Sequence, residues 1–174
     1  SASAPGRSIT GPVKTTTTED PDSIRISGQD YEVVFRKHSG LMTSLIYNGQ
    51  EQIFDNQGPS FNWYRSINND SRKYSDTKIT VSDFSVKQLS DGTSIIQTRM
   101  DAYISGENTH FPYEVDYEVS LVGTIKVSAV FNTGHEYMPP RFGLCMSLTP
   151  NDENVQWYGR GPFENYPDRQ SGAF

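Results

Sequence analysis

The chain has 174 residues, enough for one domain with a substantial core. Its formal net charge of -6 and pI near 5.0 argue against a polyanionic partner such as nucleic acid, and its lysines and arginines are scattered rather than striped. A single cysteine, Cys145, excludes an internal disulfide, and no apolar run approaches the roughly 20 residues that a membrane span needs.

Residues 1–23 read as a flexible linker or tail. Pro5, Pro12, Pro21 and the Thr15 to Thr18 tract offer no periodic apolar face, so burial cannot offset the entropy of ordering them. No signal-peptide apolar region stands at the N-terminus. From Ile24 the chain reads β. Ile24-Arg25-Ile26 leads through Ser27-Gly28-Gln29-Asp30 into a strand over Tyr31 to Arg36. His38-Ser39-Gly40 turns the chain, Leu41 to Tyr47 forms the next strand, and Asn48-Gly49 is a strong hairpin signal.

Further along, alternation with period two becomes clear. Ile96, Thr98, Met100, Ala102 and Ile104 share a face opposite Gln97, Arg99, Asp101 and Tyr103. Tyr113, Val115, Tyr117, Val119 and Leu121 face away from Glu114, Asp116, Glu118 and Ser120. Ile125, Val127, Ala129 and Phe131 follow, then Phe142, Leu144, Met146 and Leu148. The links are short and turn-rich, at Asp91-Gly92, Gly106-Glu107-Asn108 and Val122-Gly123. One wet face, one buried face and short links predict an all-β antiparallel meander, with sandwich and barrel both open. No window carries a helical stripe or a fixed repeat.

Chemistry-bearing patterns are sparse. His38, His110 and His135 lie far apart in turns or at strand ends, without metal-ligand spacing, so they read as exposed loop histidines. Cys145 sits alone in an alternating strand and reads as a small core thiol. Three runs stand out as polar-aromatic knots, each bearing an arginine. They are residues 58–70 with Arg65, Asn69 and Asp70, residues 139–143 with Arg141, and residues 157–169 with Arg160, Glu164, Asn165, Tyr166, Asp168 and Arg169. Glu164 and Asp168 suggest a glycosidase carboxylate pair. Yet they share one proline-bearing run with Arg160 and Arg169, whose guanidinium groups favour ionised, hydrogen-bonded carboxylates over a general acid. They read as loop bracing, and no catalytic residue is assigned to this chain. Three such knots at strand ends point to one polar binding or docking surface.

The run Trp157-Tyr158-Gly159-Arg160-Gly161-Pro162-Phe163-Glu164-Asn165-Tyr166-Pro167-Asp168-Arg169 resembles the signature of the C-terminal small-chain domain, the fifth domain, of glycoside hydrolase family 2 β-galactosidases. The weaker matches occur in family order: Tyr31 to Phe35 with Ser39-Gly40-Leu41, then Phe61 to Asp70, then Pro140 to Leu144. The resemblance implies an antiparallel β-supersandwich like that of galactose mutarotase over residues 24–174. It implies a non-catalytic domain that packs on a separate TIM-barrel domain, where two glutamates hydrolyse terminal β-galactosides, and that helps shape the sugar pocket. Arg65, Asn69, Asp70, Arg141, Arg160, Glu164, Asn165, Tyr166, Asp168 and Arg169 are then substrate-binding or interdomain candidates. The partners implied are that barrel, a β-galactoside or galactose, and further copies of the chain, with no nucleic acid, membrane, metal or cofactor on this chain. Periplasm and cytoplasm of a bacterium are the two compartments left open.

Two departures from the family pattern matter. Ser66-Ile67-Asn68 replaces the usual Ala-Pro-Thr, and a long insertion after Asp70 is absent. The sequence stops at Phe174 where the family continues, so a supersandwich truncated on its C-terminal side is expected. The alternatives are a stand-alone carbohydrate-binding module of the same fold, an aldose mutarotase, or a packing scaffold.

Overall fold

The computed structural model describes residues 14–63, 77–104, 110–132 and 143–150. Eleven strands run through them: β1 (Thr16–Glu19), β2 (Ser23–Ser27), β3 (Tyr31–Arg36), β4 (Leu41–Tyr47), β5 (Gln50–Glu51), β6 (Ser60–Asn62), β7 (Thr77–Gln88), β8 (Ser94–Ile104), β9 (His110–Val119), β10 (Ile125–Phe131) and β11 (Gly143–Cys145). Every pairing is antiparallel, as the alternation predicts. A five-stranded meander runs β1-β2-β3-β4-β5, a four-stranded one β10-β9-β8-β7, and β6 pairs with β11 in a small third sheet.

The two large sheets form a sandwich. Ile24, Ile26, Val33, Phe35 and Met42 from the first join Ile96, Met100, Tyr113, Val115 and Tyr117 from the second in one buried cluster. Strand β9 shows the reason plainly: its even positions are wetter and its odd ones, from Phe111 to Val119, are buried. Across the sandwich, the Phe35 and Tyr117 rings meet edge to face at 5.0 Å. The Tyr117 hydroxyl donates to the Pro59 carbonyl at 3.3 Å, so this large ring is buried without orphaning its polar end. Burial raises the Tyr117 and Tyr113 phenols far above their ordinary value, keeping both neutral donors.

One end of the sandwich is closed by tight turns. Asn48 and Gly49 both take positive φ in the β4–β5 hairpin, as that dipeptide predicts. Gly123 has φ +78, and a Cβ there would lie 2.7 Å from the Tyr31 ring. Tyr31 donates its hydroxyl to the Ser120 carbonyl at 2.9 Å, and Tyr47 donates to the Gly123 carbonyl, so the first sheet grips the β9–β10 turn of the second.

Four expectations need correction. The tail expected through Ser23 already contains a strand, because the threonines of β1 pair with β2. Thr15 also donates to the Gly92 carbonyl at 3.2 Å. Backbone pairing and hydroxyl contacts hold this edge without a buried side chain. Within the run 58–70, Phe61 and Trp63 are core residues, and Gly58 is needed because a Cβ would meet the Met42 carbonyl oxygen at 1.8 Å. The strand expected through Leu148 is only β11, which packs a half-buried Leu144 against the core and leaves Met146 and Leu148 exposed. Cys145 consequently points outward and is exposed rather than a core thiol.

Candidate functional site

Antiparallel register gathers the remaining connections at the opposite end of the sandwich. Thr77 opens β7 beside Ile104, His110 opens β9 beside Tyr103, and Phe131 closes β10 beside Tyr113. Asn62 of β6 pairs with Gly143 of β11 at this same end. Residues 64–76, 105–109 and 133–142 are thus each bounded on both sides by described residues of one end.

An aromatic cluster fills that end. The Phe61 ring lies 5.2 Å from Tyr113, 5.6 Å from Phe131 and 6.2 Å from Trp63, and Trp63 meets Phe111 at 6.2 Å. Buried Trp63 donates its indole N–H to the Thr77 hydroxyl at 2.6 Å. That bond clasps the two residues flanking positions 64–76. It also satisfies a polar atom that would otherwise be costly to bury.

The segment that holds the 157–169 run follows a different corner. Thr149 donates its amide to the Gln52 carbonyl and its hydroxyl to the Glu51 carbonyl, both at 2.9 Å, just before the chain passes Pro150. The Glu51 carboxylate organises this corner by accepting from the Ser44 hydroxyl and the Leu45, Gln52 and Ile53 amides. Partial burial pushes its pKa up, but the four hydrogen bonds outweigh that and hold it below the usual carboxylate value.

All ten sequence-predicted site residues, Arg65, Asn69, Asp70, Arg141, Arg160, Glu164, Asn165, Tyr166, Asp168 and Arg169, lie outside the described residues. What the structure adds is the placement of their stems. The flanks of 64–76 and 133–142 stand side by side through the Asn62–Gly143 pair, whereas the segment holding the 157–169 run follows the corner at Glu51. His38 and His110 are exposed, and His135 is outside the described residues. Among the described residues, no group of three His, Cys, Asp or Glu side chains is placed to hold a metal ion.

Sequence reasoning passed over Trp63, Thr77 and Tyr103. Trp63 and Thr77 meet only through the tertiary fold. Tyr103 did carry a signal, because alternation put this large aromatic on the wet face of its strand.

The model of the beta galactosidase small-chain family matches residues 27–174. A beta-galactosidase of Clostridium acetobutylicum is 29% identical over 163 residues, covering 87% of this chain and 18% of that protein. One from Halalkalibacterium halodurans is 30% identical over 165 residues, covering 87% of this chain and 16% of its own length. One from Pseudoalteromonas haloplanktis is 42% identical over 59 residues, 33% of this chain and 6% of that protein. The chain spans less than a fifth of the length of the curated relatives it matches.

Proposed function

The chain belongs to the β-galactosidase small-chain family, and from that premise we propose that it is an accessory domain of a larger glycoside hydrolase family 2 enzyme acting on terminal β-galactosides. In this reading the barrel domain of the same protein supplies both catalytic glutamates. The supersandwich presents the end bounded by Trp63, Thr77, Asn132 and Gly143 to that barrel, and Arg65, Asn69, Asp70 and Arg141 work there. The run from Arg160 to Arg169 braces the same contact or the sugar pocket.

The observation that carries this reading is that the described flanks of two connections whose sequences bear arginines stand side by side at one aromatic-clamped end, while the other end is sealed by short turns. Arginine suits the task, since its planar fork binds carboxylates and fixed carbonyls with defined geometry. The division of labour also fits the chemistry. Retaining hydrolysis needs two carboxyl groups about 5–5.5 Å apart across a scissile bond, with separated pKa values. Several described carboxylates are instead engaged in surface ion pairs, as in Arg99–Glu114 at 3.1 Å, or cap backbone amides as Glu51 does. The purified chain is expected to show no turnover of a chromogenic β-galactoside. Turnover above the buffer rate, abolished by a substitution within the chain, would overturn the proposal.

A further inference from the structure

The outer face of the four-stranded sheet carries a feature that neither the family match nor the gathered loops account for. On β8 the outward positions run Tyr103, Asp101 and Arg99, and their partners on β9 are His110, Pro112 and Glu114. Most outward neighbours are small or charged, as a wet face requires, yet Tyr103 is 42% exposed. Its ring stacks on the His110 ring with centroids 5.2 Å apart and planes 23° from parallel. The His110 imidazole Nε2 lies 3.8 Å from an Asp101 carboxylate oxygen. Two rows on, Arg99 Nε donates to Glu114 at 3.1 Å, with both side chains more than half exposed.

Across the Arg99 row, from Ser82 on β7 to Val130 and Asn132 at the edge strand β10, lies a depression of about 290 Å³ that Pro112 and Glu114 also line. Val130 is 66% exposed, so an apolar surface borders the ion pair directly. At the usual strand rise, Tyr103 to Arg99 spans roughly 14 Å. The strip is therefore long, shallow and mixed: aromatic at one end, a carboxylate in the middle, then a guanidinium–carboxylate pair beside exposed apolar carbons.

We propose that this strip, from Tyr103 and His110 to Arg99 and Glu114, is a binding surface for a short neutral saccharide. The chemistry selects that class. A sugar ring has an apolar C–H face that suits an exposed aromatic, and hydroxyls that donate to carboxylates and accept from guanidinium. Asp101 and Glu114 against Arg99 leave no excess positive charge, which disfavours a sulfated or phosphorylated ligand. A shallow depression disfavours a compact apolar ligand, which needs an enclosing cavity. The pairing of His110 with Tyr103 holds the ring upright on the sheet, so little entropy is lost on contact. The strip starts at the loop-bearing end, where Tyr103 and His110 face each other, runs from there along the outer face of the sheet, and lies wholly on described residues.

The test is NMR titration of the isotopically labelled chain with lactose, cellobiose and a sulfated dextran. Saturable shifts at Tyr103, His110 and Asp101 with at least one neutral disaccharide are expected. Affinity should fall at least tenfold in Tyr103→Ser and several-fold in Asp101→Asn, and stay unchanged in Lys87→Ala on the same sheet. Circular dichroism of each variant, with Tyr103→Phe retaining binding, separates a lost contact from a lost fold. Absence of saturable shifts would overturn the proposal, as would equal binding by Tyr103→Ser or a preference for the sulfated polymer. Self-association of the chain that Tyr103→Ser abolishes, without sugar-induced shifts, would assign the strip to a protein contact and equally overturn it. Catalytic silence of the chain bears only on the accessory-domain proposal, so the two fail separately.

Discussion

The two ends of the sandwich are built from the same strands on different principles. At the turn end, β9 and β10 are joined through Ser120 to Thr124, and β7 and β8 through Leu89 to Thr93, each closed by backbone hydrogen bonds at 2.8–3.0 Å. Tyr31 and Tyr47 reach across from the other sheet to cap the first of these turns. At the opposite end two connections, residues 64–76 and 133–142, are longer, and what is clamped is their stems, by Trp63, Phe61, Phe111 and Phe131. The difference teaches where each job can sit. Short turns spend their residues on geometry and leave none for recognition, whereas long connections on a rigid rim can carry arginines that touch something else.

Substitutions can break or sharpen this contrast. The largest loss is expected between the ends, where Phe35 is fully buried against Tyr117. Phe35→Ala should cost about 3–5 kcal/mol by urea unfolding, because the ring leaves a cavity in both sheets. At the turn end, Gly123→Ala forces a positive φ on a residue with a side chain and drives its Cβ into the Tyr31 ring. About 1–3 kcal/mol is expected, read as a lower midpoint, with no change in any activity of the full-length protein. At the loop-bearing end, Trp63→Phe keeps the ring contacts and removes the bond to Thr77, for a loss of about 1 kcal/mol. Amide exchange should then quicken around Thr77 and leave the Ser120–Thr124 turn as slow as before.

Smallest is the effect of pH at the corner that precedes Pro150. The folded pKa of Glu51 is lowered, so its contribution is fully present above the ordinary carboxylate value and is lost as pH falls through the folded one. Unfolding midpoints should therefore drop on acidification below the ordinary range. Glu51→Gln should flatten that part of the profile while lowering stability at neutral pH.

Much of the sandwich was legible because period-two alternation reports directly on which face is buried. Strands β3 and β4 occupy the predicted residues Tyr31–Arg36 and Leu41–Tyr47, and the inward faces of β8 and β9 are those the pattern names. Legibility failed where strands are too short to show a period or gain their stability from pairing alone. β6 and β11 have three residues each, and β1 is a run of threonines and a glutamate without a buried position. Cys145 is a different case: inside β11 it lies opposite Leu144, so alternation itself points it outward, against the usual preference of a free thiol for burial. The candidate site was legible as composition, in Arg65, Arg141 and the run to Arg169, but not as geometry. No local rule brings Asn62 beside Gly143 or Trp63 beside Thr77, since those contacts depend on how separate strands are laid down.

The claim that function belongs to the loop-bearing end is tested most directly by kcat/KM for β-galactoside hydrolysis in the full-length protein. Arg65→Ala and Arg141→Ala should each lower it at least about tenfold, as expected when positioning groups are lost, with the melting temperature unchanged. Gly123→Ala should do the reverse, lowering the melting temperature and sparing kcat/KM. Unaltered kcat/KM in both arginine variants would contradict the account.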